Sequence, residues 1–520
     1  FGSSRFGPIP PKPPLPRRRA MTVLTSAPVL ALIFLAPGVG AAGPGAAFDL
    51  GVVGAGAGGA YAAWRAAVAG KSVCVFERAG RPGGRIHSLR GQGPRKDLVV
   101  EAGGYRFAPK PVHMHTGKFD WTISTPITAA VINELNLTSV SYNPNASDWD
   151  HGMHKIVGAD GQDVGYLTFI ERLLDLAVAH GAKVLYNTTV VGLGMKGEGV
   201  LLRHSGGEAL AKSVVLNLPQ RPAIELLRGS DPSIASHFPR PLYDPVSYPI
   251  MKLYVHYDDA WWRNDLGLVA GPFMNTEPPQ TGRGHTFGVP TVSPVPLQGQ
   301  YHDGHVRCES PPSRGCRGYL QAFYGGDNAM YTGGVDGAMK FFAPFADTIA
   351  ADSVTHIGRD QPHHVELLEA LHSSLLGLHR PALDAVNATG RVANLRPTSA
   401  VLSMWTEGVA GINAGCHAPK RLPGGESPPP DQLPKAALEP MPGLPVLVAN
   451  EAFGPVGCFA EGSLSMAEAA VKRLYPGLRA VAGLPEDLQA AGVAAPPTDP
   501  SLLLGRAAMG SPELETLQVI

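Results

Sequence analysis

Neither sign of charge predominates in this sequence: Lys plus Arg and Asp plus Glu both number 43, so the formal net charge is zero. A chain without a basic surplus has no electrostatic footprint for nucleic acid, and polyanionic partners are set aside on that ground. Cysteine is scarce, five in 520 residues, too few for a scaffold held together by disulfides. The apolar run near the N-terminus, Val29 to Leu35, falls well short of the roughly 20 residues a membrane helix needs, so no stable membrane span is expected. Internal repeats are absent as well.

Glycine (63) and proline (50) are plentiful, and the prolines gather at the ends and in a few loops. Those stretches read as linkers or tails around a large core of about two domains. Arg17 to Arg19, the Val29–Leu35 run and the small residues Gly40, Ala41 and Ala42 form the pattern of a secretory signal peptide, with Met21 read as the initiator. A secreted protein is therefore expected; a plastid transit peptide or an uncleaved membrane anchor is the alternative. Sequons at Asn136, Asn145, Asn187 and Asn387 agree with export and glycosylation. Cys308 and Cys316 flank a short loop and could pair in such a compartment, whereas Cys74, within a strand pattern, is expected to be buried and free.

Apolar residues 48–53 predict a buried strand, the Ala-rich 57–69 a close-packed helix, and 72–76 a second strand. A helix at 168–179, strands at 183–187, 213–218 and 445–449, and a helix at 461–474 extend an α/β pattern. Between the first strand and helix stands a GxGxxG turn, Gly54, Gly56 and Gly59. The first glycine permits the tight turn and the second lets the backbone approach a pyrophosphate. The third lets the helix pack on the strand, and the helix N-terminus attracts negative charge. Glu77 ends the next strand, where a carboxylate can accept hydrogen bonds from a ribose diol. Farther on, Gly83 and Gly84 would let a second loop approach the same pyrophosphate, with Arg81 or Arg85 neutralising it bidentately.

At these residues the chain resembles the FAD-dependent amine oxidases, a family that includes L-amino-acid, monoamine and polyamine oxidases. Their GxGxxG, acid and RxGGR pattern stands here as Gly54–Gly59, Glu77-Arg78 and Arg81–Arg85, and their acidic GG segment as Glu101 to Gly104, leading into Tyr105 and Arg106. The resemblance implies a two-lobed α/β flavoprotein: a Rossmann-like doubly wound FAD-binding domain and a mixed-sheet substrate domain. It assigns 48–111, 165–222 and 443–475 to the FAD-binding domain and 223–442 to the substrate domain. Residues 112–164 become a reduced helical region at the substrate entrance, 1–47 a leader, and 476–520 a flexible tail. Val190 falls where the family packs on the adenine. Glu451, Phe459 and Ala460 fall in its closing flavin segment, although Asn450 stands where the family has glycine.

The same resemblance points to chemistry. Lys252 occupies the place of a lysine that holds a water beside the flavin, and a lysine opening a half-apolar strand needs a partner when buried. Arg106 matches the arginine that pairs with the substrate carboxylate in L-amino-acid oxidases, a role suited to its planar fork. Phe459 and Trp405 stand where aromatic residues line the substrate cage. Cys416, in an Ala-Gly-Cys loop, resembles the cysteine that holds flavin covalently in monoamine oxidases, although non-covalent FAD is the main expectation. His113 and His115 alternate on a strand without completing a metal site, so no metal is expected. The expected activity is oxidative deamination of L-amino acids by molecular oxygen to 2-oxo acid, ammonia and hydrogen peroxide. The alternatives are a monoamine or polyamine oxidase or dehydrogenase, a desaturase-type flavoprotein, or a flavin-binding protein without catalysis.

Overall fold

A computed structural model describes residues 47–116, 119–143, 152–275, 295–309, 315–325, 338–347, 353–406, 414–420, 429, 431–479 and 481–483. The leader, the sequon at Asn145 and nearly all of the tail lie outside these residues.

Two seven-stranded sheets organise the described chain. In the first, Phe48–Val53 lies between Val73–Phe76 and Gly207–Leu216, parallel to both, and Lys183–Leu185 extends the parallel side. The long strand Gly207–Leu216 serves two neighbours on its other side. Its first half pairs antiparallel with Gly199–His204, and its last residues pair parallel with Val446–Val448. Val190–Lys196 closes that edge. Parallel strands need crossovers, and the helices Ala57–Val68, Thr168–Ala179 and Ala460–Leu474 pack together beside this sheet. The first of these helices is buried from Ala57 to Ala67, because its alanines and glycines let neighbouring backbones come close. This is the α/β, Rossmann-like architecture expected from the strand–glycine–helix pattern.

The second sheet runs Pro272–Met274, Gln298–Gln300, Cys316–Gly325, Ile250–Tyr257, Ser399–Trp405, Val354–Ile357, with every pair antiparallel; the first sheet is the mixed one. A 24-residue helix, Pro362–Ala385, packs its leucines into the core of this lobe. Residues 112–164 contribute the helix Pro126–Glu134 and strand hairpins, Val112–Thr116 with Phe119–Ile123 and Thr138–Ser141 with His154–Val157. The proline-rich stretch at 420–443 holds the helix Gln432–Leu438. Leu433, Ala437 and Met441 recur every four residues there and dock on the first core, which overrides the prolines around them.

Candidate functional site

Absent side chains shape the nucleotide turn. Gly54 has φ +98°, and a Cβ on it would lie 2.6 Å from the Asn217 carbonyl. A Cβ on Gly59 would lie 1.9 Å from the Gly54 carbonyl, which is why helix and strand meet so closely here. Gly83, also at φ +98°, donates its N–H to the Ala55 carbonyl at 2.9 Å, and Gly56 and Gly83 form a parallel bridge. The two glycine loops predicted to share one pyrophosphate thus lie side by side. Glu77 accepts from the N–H groups of Ala55 (2.7 Å) and Ala79 (2.8 Å), fixing its carboxylate at the lip of the turn. Val190 starts its strand close by, since Thr188 donates its N–H to the Glu77 carbonyl at 2.8 Å. Arg81 spans its own loop, donating to the carbonyls of Pro82 and Gly84 at 3.1 Å each, and Arg78 precedes it at the rim.

Asn217 escaped the sequence reading. Its amide, turned so that the oxygen faces the helix, accepts from Gly56 N (3.1 Å) and Gly59 N (2.9 Å) and donates to the Ala449 carbonyl (2.7 Å). One side chain therefore ties the glycine turn to the end of the strand Val446–Val448. It falls within the strand expected at 213–218, and nothing in its spacing marks the asparagine.

Arg85 and Glu451 face each other at 2.6 Å. Arg85 also donates to the Gly415 carbonyl (3.2 Å) and Asn450 Oδ1 (3.3 Å), while Glu451 accepts from the N–H groups of His417 (2.9 Å) and Cys458 (3.0 Å). Burial alone would raise the Glu451 pKa. The opposing pull of Arg85, His417 and these hydrogen bonds wins and holds it well below the usual carboxylate range. Beside this pair Cys416 is bonded to Cys458, so its sulfur has no thiolate to offer a flavin while the disulfide stands. Cys308 pairs with Cys316 as anticipated, and Cys74 is buried and free. Cys416, Glu451 and Cys458 are the group of possible metal ligands that lie together among the described residues, and two of the three are in the disulfide. His113 Nδ1 meets Thr122 Oγ1 at 2.7 Å.

The segment Glu101 to Gly104 joins the lobes. Four side chains from the second sheet donate to three successive carbonyls: Lys252 (3.1 Å) and Tyr254 (3.1 Å) to Glu101, Ser403 (2.8 Å) and Trp405 (2.7 Å) to Ala102, and Lys252 (2.5 Å) to Gly103. Trp405 is buried, and its indole N–H braces this backbone. Gly103 has no room for a Cβ, which would lie 1.9 Å from the Arg85 carbonyl, and Gly104 donates to that same carbonyl at 2.9 Å. Lys252 sits 3.6 Å from the centre of the Tyr105 ring. Burial pushes its pKa down, and the charges of Asp303 and Glu101 offset part of that.

Around Tyr105, buried side chains from both lobes gather as the aromatic walls of a candidate substrate chamber. Tyr142 and Tyr324 stand edge-on to Tyr105 at 5.5 and 5.9 Å, and Tyr324 and Phe459 pack against the same cluster. The Arg106 guanidinium lies 4.5 Å from the Tyr105 ring centre and 5.9 Å from that of Tyr142, buried to 8 % exposure. Phe459 also caps the helix that begins at Ala460. Lys252, Arg106 and Phe459, from three distant segments, thus meet around Tyr105 and the aromatic rings packed on it. Asp303, which accepts from the Tyr105 hydroxyl at 2.8 Å, was not foreseen.

Residues 52–116 match a family described as an NAD(P)-binding Rossmann-like domain, which covers the glycine turn, Glu77 and the second glycine loop. No curated protein matches the chain. Solved structures to which it is similar include wild-type putrescine oxidase bound to putrescine, at 15 % identity and TM-score 0.46, covering 82 % of this chain and 99 % of that one. Two variants from a redesign of cofactor binding in the same oxidase cover the same shares, at 14 and 15 % identity and TM-score 0.47. No helix among the described residues is long and apolar enough to cross a membrane.

Proposed function

We propose that the protein is an FAD-dependent oxidoreductase acting on the CH–NH2 group of L-amino acids, with oxygen as acceptor. The observation that carries this reading is Arg106: a buried guanidinium stacked on Tyr105, in one chamber with Lys252 and Phe459 and directly following the glycines that lead from the nucleotide turn. A buried guanidinium beside aromatic rings suits a planar anion such as a carboxylate. The cradle left by Gly54, Gly56, Gly83 and Gly84 fits a dinucleotide, with Glu77 at the ribose and the N-terminus of the helix Ala57–Val68 at the pyrophosphate. Bound FAD supplies the acceptance of hydride from the amine-bearing carbon and the transfer of electrons to oxygen, giving hydrogen peroxide.

The chain's own residues do the rest. Arg106 holds the carboxylate and so orients the α-carbon, while Phe459 and Tyr324 shut the chamber against water. Lys252, with its ammonium destabilised by burial, takes a proton from the substrate ammonium and leaves the neutral amine that oxidation requires. The imine released hydrolyses to a 2-oxo acid and ammonia. Export through the secretory pathway is part of this proposal and rests on the N-terminal pattern alone. A monoamine or polyamine oxidase is the second reading, favoured by the buried Asp303 carboxylate, which suits a cation.

The test is anaerobic: L-amino acids, then simple amines, are added to the purified flavoprotein while its visible band is followed. Bleaching by amino acids alone supports the proposal. Bleaching by amines alone transfers the assignment to the second reading.

A further inference from the structure

The Cys416–Cys458 disulfide has no task in the reading above, yet it stands at the junction between the closing segment and the nucleotide cradle. The two sulfurs and a Glu451 carboxylate oxygen all lie within 4.8 Å of one another. Glu451 Oε1 accepts from one backbone N–H on each side of the link, His417 at 2.9 Å and Cys458 at 3.0 Å. Its other oxygen, Oε2, meets Arg85 at 2.6 Å, and Arg85 directly follows Gly83 and Gly84 of the second glycine loop. Short contacts thus run from the sulfurs to the cradle. The turn also fits its strand closely, since a Cβ on Gly457 would lie 2.5 Å from the His417 carbonyl. Cys458 has φ +65°, a left-handed conformation seldom adopted by a residue with a Cβ. Such a conformation persists where its surroundings impose it, as they do at ligand clamps and switches. Here the sulfur bond to Cys416 and the hydrogen bond to Glu451 impose it.

We propose that Cys458 is a thiol-exchange site, through which a small dithiol opens the link and loosens the cofactor's seat. The two sulfurs differ in access: Cys416 is buried at 1 % exposure, whereas Cys458 is only half-buried. Exchange goes through the sulfur that a thiolate can reach. The thiolate bonds to Cys458 Sγ as the Cys416–Cys458 bond breaks, and the electron pair of that bond leaves on Cys416 Sγ. The reagent's second thiol then displaces Cys458 and closes the reagent into a cyclic disulfide. Two electrons and the reagent's two thiol protons end on the cysteines, so the dithiol is oxidised and the link reduced. Freed of the sulfur bond, Cys458 leaves φ +65° and takes its N–H away from Glu451. Glu451 then holds Arg85 less firmly, and the turn before the helix Ala460–Leu474 is no longer tied to the strand Cys416–Pro419. Cys308–Cys316 closes a hairpin of the other sheet, and its reduction has no such route to the cradle.

The loosening of the cofactor rests on the FAD reading, whereas exchange at Cys458 does not, and the experiment reads the two separately. Purified flavoprotein carrying Cys308→Ser with Cys316→Ser retains the Cys416–Cys458 link and the buried Cys74. It is treated with dithiothreitol without denaturant, then alkylated and mapped by mass, while released flavin is followed by its fluorescence. Unchanged far-UV circular dichroism establishes that the fold persists. The expected result is alkylation of Cys458 ahead of Cys416 and flavin release at least tenfold faster than without the dithiol. Oxidised dithiothreitol should restore the slow release. In Cys416→Ser with Cys458→Ser, the same treatment should leave release within twofold of that variant's own untreated rate. Alkylation of neither cysteine short of denaturation overturns the inference and makes the link purely structural. Alkylation with flavin release unchanged overturns it too, and leaves the FAD reading intact. A protein that neither carries flavin nor takes up added FAD overturns the FAD reading and the cofactor part with it, while the order of alkylation still decides the exchange.

Discussion

The nucleotide cradle is made from one contiguous stretch, Gly54 to Gly84, in which glycines leave the space a ligand needs. The chamber beside it is made from Tyr105, Arg106, Lys252, Asp303, Tyr324 and Phe459, brought from both lobes, and its properties come from side chains present. The first is set by steric exclusion within a βαβ unit. The second depends on burial and charge, which exist only after the lobes have packed. Changes in the cradle should therefore act first on folding and cofactor content, and changes in the chamber first on catalysis.

Gly59→Ala tests the cradle most severely. Its Cβ would lie 1.9 Å from the Gly54 carbonyl, so the helix Ala57–Val68 must move off its strand. We expect purified protein without bound flavin and a stability loss of about 3 kcal/mol or more, read from the absorption spectrum and a denaturation curve. Normal flavin content would mean that the turn is not the cofactor's seat.

Lys252→Met carries the same contrast into the chamber, with an apolar side chain of similar length. Flavin content should stay close to normal, while the rate of anaerobic reduction by amino acid falls by about 10²- to 10⁴-fold. The pH dependence of stability gives an independent readout. Because the folded-state pKa of Lys252 lies below its ordinary 10.5, the unfolded chain binds the extra proton between those values, and wild-type stability rises with pH across that window. The methionine variant should lack that rise. A variant that keeps both the rise and the rate would remove Lys252 from proton handling.

Glu451→Gln bears on the junction between cradle and chamber, and its expected effect on folding is next in size. Removing one partner leaves Arg85 facing a neutral amide in a buried place, at a cost of about 3 kcal/mol. Since the Glu451 pKa is depressed in the folded state, its contribution is present above the ordinary 4.5 and is lost as pH falls through the folded value. Stability of the variant should accordingly fall less steeply than that of wild type as pH drops from 4.5 toward the folded value, read from acid denaturation curves.

How much of this was legible follows from where each signal resides. The glycine turn, Glu77 and the second glycine loop could be read because their spacing is local and belongs to one βαβ unit. Arg106, Lys252 and Phe459 could be named only through resemblance, since nothing local says that three distant segments meet. Asp303 is one acid among 43, in a turn, and burial is what distinguishes it. Asn217 likewise gains its role from two N–H groups that only the folded turn presents. The sequons were ambiguous for a local reason: Asn136, Asn187 and Asn387 have φ of 51°, 52° and 55°, a left-handed conformation that asparagine tolerates, so backbone geometry alone accounts for the residue type.

Disulfides give the finest comparison of the two lobes. Cys416–Cys458 closes a separation of 42 residues between the strand Cys416–Pro419 and the turn before the helix Ala460–Leu474, whereas Cys308–Cys316 closes only 8 within a hairpin. Loop-closure entropy grows with the logarithm of loop length, so losing the longer link should destabilise by about 1.5 kcal/mol more than losing the shorter one. The paired serine variants, Cys416→Ser with Cys458→Ser and Cys308→Ser with Cys316→Ser, measure this directly by denaturation. The former pair has a second readout, because the disulfide stands next to Glu451 while the hairpin link lies at the edge of the other sheet. Loss of flavin content in that pair alone would show that the link holds the closing segment against the cofactor. Acid precipitation of wild type completes the test: flavin left in the supernatant agrees with a sulfur already occupied by Cys458, and flavin carried down with the protein would require a different covalent anchor.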